Sequence, residues 1–454
     1  MRMPTIAFVL ASLLQSVSLH AQTPSPPVYD LATCIREALA NSPDLQAAAA
    51  EIAAARAQLH EAQAGRWGEA EYNQVLSAVP KAKGDILDPP AQNRNSLVDG
   101  LGPFTRLDLA INIPVWTFGK LSSALEAAQR GLESQQAGGD ARRAEVIFDV
   151  KQLYYGLALT QQLSAVLHDM LDNMDKAVGK TKERLDAGSK AVTEIDLLKL
   201  RTGRAKFAKG VAEVDAAATL ARAALARAIG KETKAQVQIA DRRLQPVDAT
   251  VDPLDSYLVE GPDRRPEARQ IASGLAAQSA KVDLEEAGLY PSFFLSTGLQ
   301  YAVAPNRTTQ KNPFASEDFN YTRPVGALGL HWDINFFRTE AKVEEARAEL
   351  DRLRSQQRSA TSGLQLEIQK AYSEVLQARD TMKASEDGHS AGRALLVLTV
   401  SNFDLGIGEA EELFKGLGAY TEASTDYFRS VHDYNLAIAS LSKAVGKELT
   451  NLEY

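Results

Sequence analysis

The chain has a single cysteine, few aromatic residues (7% of 454) and only six histidines. One cysteine excludes an internal disulfide. Cys34 sits inside a helical pattern (30–40), well past the apolar N-terminal run, so it is not a lipid anchor in the usual place and reads as a small buried helix residue. Sparse aromatics and abundant alanine argue against one dense globular core. No stretch of 18 apolar residues follows the N-terminal segment, which excludes a transmembrane helix, so any membrane crossing must use strands closed into a barrel. None of His20, His60, His168, His331, His389 and His432 pairs with another at metal-ligand spacing. A glycine-rich phosphate loop is lacking, and no catalytic constellation is legible. The expectation is therefore no metal, no cofactor and no enzymatic activity. A formal charge of −8 gives no electrostatic reason to expect a nucleic-acid partner.

What is present begins with Arg2, the apolar run Ile6 to Leu14, and Leu19-His20-Ala21 before a Pro/Ser stretch (Pro24 to Pro27). This reads as a signal peptide over 1–21 and a linker over 22–30. The remainder reads as a duplication. Asn41-Ser42-Pro43-Asp44-Leu45 precedes one Ala-rich helical run, and Arg265-Pro266-Glu267-Ala268 precedes another. The alternating segment ending at Ile113 matches the one ending at Ile334, Tyr154 matches Tyr372, and Gly230 closes one half as Gly446 closes the other. Matching landmarks lie about 220 residues apart. The expected organisation is a first repeat over 31–250, a linker over 251–265, a second repeat over 266–448 and a tail over 449–454.

Each half reads as helix, strand, loop, strand, very long helix, turn and long helix. In the first half the helix covers 31–66, strands cover 68–77 and 105–115 around a loop at 80–103, and helices cover 118–184 and up to 229. In the second half the helix covers 266–289, strands 292–302 and 325–335, and helices 338–402 and 409–445. A helix of some 65 residues rises roughly 100 Å, too long for a compact core. Gly138-Gly139 is a weak point in the first long helix, readable as a bend, a register change or a tolerated interruption. The strands alternate as a membrane barrel does, with lipid outside and water inside. Leu107, Leu109, Ile111 and Ile113 oppose Asp108 and Asn112, and Leu328, Leu330, Trp332 and Ile334 oppose His331 and Asp333. The lumen residues expected are Asp108, Asn112, His331 and Asp333, with outer-membrane lipid against the other face. The first strand, from Trp67, is polar and alternates poorly. Trp116, Trp332, Phe336 and Phe337 cluster where strand gives way to helix, the place for an aromatic belt. Four strands are too few to close a barrel, so several copies must combine, and dimers, trimers and tetramers all give even strand counts.

Asn41-Ser-Pro43-Asp44, Ile113-Pro-Val-Trp-Thr-Phe-Gly119, Arg184-Leu-Asp-Ala-Gly188 with Thr193 five residues on, and Tyr434-Asn435-Leu-Ala437 with Leu441 and Gly446 occur in one order. Over about 30–448 this resembles the TolC-like outer-membrane efflux channel family. The resemblance implies a mostly α fold with membrane β: four strands per chain contribute to a twelve-stranded barrel in a homotrimer, continued by a long periplasmic α-helical barrel. It implies a periplasmic adaptor and an inner-membrane pump or ABC exporter as partners. It places adaptor contacts at the tip turns Gly188, Ser189, Gly406 and Gly408. It puts a periplasmic gate at Glu412 and Lys415, where the family's paired acidic positions fall; Lys415 reverses the charge and Glu411 is the substitute acid. The alternative is a secreted or periplasmic coiled-coil scaffold, which needs no duplicated alternating strands.

Overall fold

The computed structural model describes residues 28–84, 100–189, 192–241 and 243–454. The signal-peptide reading, most of the 22–30 linker and residues 85–99 of the first loop fall outside them. The first half runs β1 (Val28–Tyr29), α1 (Leu31–Asn41), α2 (Pro43–Ala64), β2 (Glu69–Pro80), β3 (Leu101–Trp116), α3 (Lys120–Asp186) and α4 (Glu194–Ala228). After β4 (Gln238–Ile239), the second runs α5 (Leu254–Arg264), α6 (Pro266–Ala287), β5 (Ser292–Val303), β6 (Tyr321–His331), α7 (Phe336–Leu405) and α8 (Ala410–Val445). The halves match in length helix by helix: α1 and α5 have 11 residues each, α2 and α6 have 22, and α3 and α7 have 67 and 70.

Besides shifts of a few residues at strand ends, as in β3, which starts at Leu101 where the reading had residue 105, three boundaries differ from the sequence reading. The helix expected over 31–66 is two helices, because Ser42 precedes Pro43 and is held extended (φ −63°, ψ 123°), while Pro43 opens α2. Arg265 before Pro266 repeats the device (φ −69°, ψ 128°). The stretch 251–265, expected as a linker, is mostly the helix α5, seated so closely on α7 that a β-carbon at Gly261 would lie 2.7 Å from Ile368 Cδ1. The fourth strand covers 321–331 rather than 325–335. Its last partner is Ser292, and Pro291 beyond that has no N–H to extend the ladder.

The strands form one antiparallel sheet in the order β2-β3-β5-β6. Below it the helices pack in the same sequence, α2 on α3, α3 on α6 and α6 on α7. Each strand therefore continues into the column beneath it, and one curved wall results, with β2 and β6 as its edges. Gly138 and Gly139 do not break α3. A β-carbon at Gly138 would sit 3.0 Å from Gln270 Nε2 on α6, and one at Gly139 3.0 Å from Ile52 Cδ1 on α2, so these glycines admit close-packed neighbours.

The interior is concentrated at mid-length and near the far turns. Cys34, Ile35, Tyr154, Leu157, Leu225 and Ile229 are wholly buried at mid-length. The connecting segments gather at the same level. There β1 pairs in parallel with β4, and Ala249 bridges Thr450. Asn435 Nδ2 donates to Gln245 O (2.9 Å), and its Oδ1 accepts from Val247 N (2.9 Å). Lys151, also buried, pairs with Glu448 at 2.5 Å. The Tyr154 hydroxyl donates to Asp241 at 2.9 Å. Met174, Leu200, Phe403 and Leu417 make a second core toward the turns.

Candidate channel wall and closing tip

The strand register decides which side chains share a face. Leu107, Leu109, Ile111 and Ile113 stand opposite Tyr301, Leu299, Thr297 and Leu295 of β5, and Leu295 stands opposite Leu328. On β2 the same face carries Ala70, Tyr72 and Leu76, interrupted by Gln74. One apolar surface thus crosses all four strands. The other face carries Glu69, Glu71 and Asn73, then Arg106, Asp108 and Asn112, then Ser296 and Gln300, then Arg323 and His331. Once β3 fixes its register, β2 alternates well over Glu69–Asn73, and its two glutamates are polar-face residues that the sequence reading passed over.

Three of the four expected lumen residues, Asp108, Asn112 and His331, lie on this polar face. Asp108 accepts from Arg106 Nε at 2.7 Å. Asp333 is past the end of β6, with its Oδ1 3.6 Å from His331 Nε2.

The four expected belt aromatics collect at the helical end of the sheet, and Phe337 is 91% exposed. Trp116 reaches the apolar face only because a bulge between Pro114 and Trp116 sets it opposite Phe293; unbroken alternation would put it beside Asp108. Trp116 meets Phe118 edge-on at 5.9 Å, Phe118 stacks on Tyr290 at 5.5 Å, and Trp332 meets Phe336 at 5.8 Å. Phe118 and Tyr290 are additions to the expected belt. Their signal in the sequence was their place beside Gly119 and Pro291.

At the opposite end the two hairpin turns meet. Gly188 (φ 72°) ends α3, and Thr193 with Asp196 caps α4 in a reciprocal box. Gly406 takes a left-handed conformation (φ 82°), and a β-carbon at Gly408 would lie 3.0 Å from Phe403 N. Arg184 of α3 reaches across to the last carbonyls of α7, donating from Nη2 to Phe403 O (3.3 Å) and Asp404 O (3.2 Å), with its guanidinium 5.7 Å from the centre of the Phe403 ring. Lys180 Nζ donates to Asp404 Oδ1 at 2.7 Å. Both cations thus meet the negative end of the α7 dipole. Lys180, Arg184, Lys199 and Asp404 were not among the expected site residues, although Arg184 lies in a quoted motif.

Of the three expected gate residues, Lys415 pairs with Glu411 (2.9 Å), one helical turn away, rather than with Glu412. Glu411 also accepts from Lys199 Nζ of α4 at 3.0 Å. The Lys415 and Lys199 ammonium groups hold its carboxyl down to about 2. Glu412 is exposed and has no ion-pair partner among the described residues. Between α4 and α8 runs an open groove of about 540 Å³, lined by Ile195, Leu198, Gly203 and Phe414 and rimmed by Lys199 and Lys415.

Among the described residues no helix is long and apolar enough to cross a membrane, and no group of three or more His, Cys, Asp or Glu is placed to hold a metal ion. Residues 262–447 match a family described as Outer membrane efflux protein. The chain is 25% identical over 382 residues to the pyoverdine export outer membrane protein OpmQ of Pseudomonas aeruginosa, covering 81% of this chain and 77% of that one. It is 24% identical over 366 residues to the cation efflux system protein CusC of Escherichia coli, covering 80% and 73%. Among solved structures, the outer-membrane channel OprN superposes with a TM-score of 0.75 at 19% identity over 92% of this chain and 89% of that one. The CmeC outer membrane channel of Campylobacter jejuni gives 0.74 at 16% identity over 100% and 95%. A two-faced sheet continued by paired helical columns and these likenesses point one way: in sequence and in fold the chain is similar to the TolC-like family of outer-membrane efflux channels.

Proposed function

We propose that three copies of the chain stand side by side around one pore, joined edge to edge by β2 of one copy and β6 of the next into a twelve-stranded barrel. The chain is the outer-membrane channel of a tripartite efflux or secretion system, with a long periplasmic extension; it is neither an enzyme nor a scaffold. One observation carries the reading of a wall closed between copies, and the number three comes from the likeness to TolC-like channels. Strand order and helix order coincide, so both the sheet and the array below it end on open edges at the same two sides of the wall. A four-stranded sheet has no lumen of its own, and eight strands is the lower bound for a membrane barrel. Open strand edges in lipid leave backbone groups unsatisfied, which closure removes. The columns support the same closure, because helices outside the shared cores expose apolar residues: Leu220 on α4, and Leu395 and Leu398 on α7.

In this reading the apolar face meets lipid, and Asp108, Asn112 and His331, with Glu69 and Glu71, line the water-filled lumen. The hairpin turns form the periplasmic tip. Arg184 and Lys180 on the α7 terminus, and Lys199 on Glu411, clasp the two hairpins of one copy and keep that tip narrow. Glu412, with no ion-pair partner among the described residues, is the stronger candidate for an acidic ring; three like charges around an axis repel one another and attract cations. Gly188, Ser189, Gly406 and Gly408 are the turns an adaptor would grip. The relatives' names speak of pyoverdine export and cation efflux. That spread supports a passive duct whose cargo is chosen by its inner-membrane partner.

Measuring the mass of the detergent-purified oligomer and its current in a planar bilayer tests the assembly. Three copies per particle with discrete single-channel steps are expected. A stable monomer, or an oligomer that never conducts, would refute the closed wall.

A further inference from the structure

The connection between β5 and β6, residues 304–320, does not extend away from the sheet. It folds back over the polar face at the end remote from the helices. Phe104 and Gly102 occupy even-numbered positions of β3, on the same face as Asp108 and Asn112. The Phe319 ring packs edge-on against Phe104 at 5.7 Å. Asn306 covers Gly102 so closely that a β-carbon there would lie 2.8 Å from Asn306 Cβ. Ala302, another polar-face position, is only 2% exposed.

The segment is held from within and from the neighbouring loop. The Arg307 guanidinium sits 3.7 Å from the centre of the Phe319 ring and donates to Pro80 O at 2.6 Å. Ala82 bridges Arg307, with Thr308 N donating to Ala82 O at 3.0 Å. Glu317 Oε1 accepts from Phe319 N and Asn320 N, both at 2.9 Å, and Asn320 Oδ1 accepts from Ala304 N at 2.8 Å. Such internal satisfaction marks a formed loop with one preferred position.

We infer that residues 304–320 are an inward strap that narrows the outer mouth of the pore and sets a size limit there, a constriction in series with the periplasmic tip. The inference rests on the polar face lining the lumen. Three copies of the strap would project toward one axis, each narrowing the opening from its own side.

The test is thiol labelling from outside intact cells, with Ser296→Cys as a reporter deeper on the polar face. Cys34 is fully buried, so the background is silent. A small charged thiol reagent should label the reporter. A polyethylene glycol maleimide should label it at least about tenfold faster after deletion of 309–316 than with the strap intact. Phe319→Ala with Arg307→Ala releases the strap without shortening the chain, should the deletion fail to assemble, and is expected to act in the same direction. Equal rates of polymer labelling with and without the strap, in protein that the small reagent does label, would overturn the strap alone. A reporter that even the small reagent never reaches would overturn both the strap and the lumen reading beneath it.

Discussion

Arg184→Ala combined with Lys180→Ala should open the periplasmic tip. Arg184 makes two hydrogen bonds to carbonyls at the end of α7, each worth about 0.5–1.5 kcal/mol net. Its charge at that helix terminus adds about 0.3–1 kcal/mol. The exposed Lys180–Asp404 pair contributes about 0–1 kcal/mol. The double variant therefore removes on the order of 1–5 kcal/mol from the clasp in each copy, and every 1.4 kcal/mol is about tenfold in an equilibrium constant. Replacement in all three copies should raise the open fraction by at least tenfold to a hundredfold, on the order expected from a single copy. The assay is single-channel recording on the purified oligomer, paired with uptake of a bulky antibiotic by cells carrying the variant. Neither α3 nor α7 loses an internal hydrogen bond, so the oligomer should survive intact. An intact oligomer whose open fraction and uptake match the parent would refute the idea that this clasp holds the tip closed.

The gate acids should separate: Glu412→Ala lowers cation preference more than Glu411→Ala, because Glu411 already shares its charge with two lysines, and reversal potentials in a salt gradient measure this. With its carboxyl held near 2, Glu411 keeps its lysine contacts above the ordinary carboxylate value and loses them only as pH falls through about 2, so recordings between pH 8 and pH 5 should show no transition that Glu411→Gln abolishes. His389 stacks on Tyr427 at 5.0 Å, and burial, with Arg393 adding to it, pushes its pKa below the ordinary 6.5. A base depressed in the folded state contributes stability above that value and loses it as pH falls below, so the heat resistance of the oligomer should drop from pH 7 to pH 5, and His389→Phe should flatten the drop. Gly416→Ala should lower the melting temperature, costing about 1–3 kcal/mol, because the added methyl overlaps Thr399 across the α7–α8 contact. The Cys34 thiol, pushed up to about 12 by burial, should react with thiol reagents only after unfolding.

The long columns were legible because helical periodicity sustained over some 65 residues has few alternative readings. The strands were legible where β-branched and leucine residues alternate with polar ones, as in Leu107 to Ile113. The break at Ser42-Pro43 was visible in principle, but the Ala-rich runs on both sides masked it. Helix α5 was not, since Gly261 and Pro262 read locally as linker, and it is packing on Ile368 that makes the glycine necessary. Nor could alternation alone show that a bulge turns Trp116 to the apolar side. The tip contacts join Lys180 to Asp404 and Lys199 to Glu411, more than 200 positions apart, and only the folding-back of both hairpins makes them neighbours.

The mid-length gathering of β1, β4, the Asn435 contacts and the Lys151–Glu448 pair has a mechanical consequence. These ties fix the columns at the level of Tyr154, some 34 residues above the turn at Gly188, a lever arm of roughly 50 Å. Below that fulcrum the two hairpins are joined by the second core around Met174, Leu200, Phe403 and Leu417 and by a few charged contacts at the far end. A swing of only 10° about the fulcrum would carry the turns roughly 9 Å sideways, a wide aperture from a small angular change, with the barrel above left undisturbed.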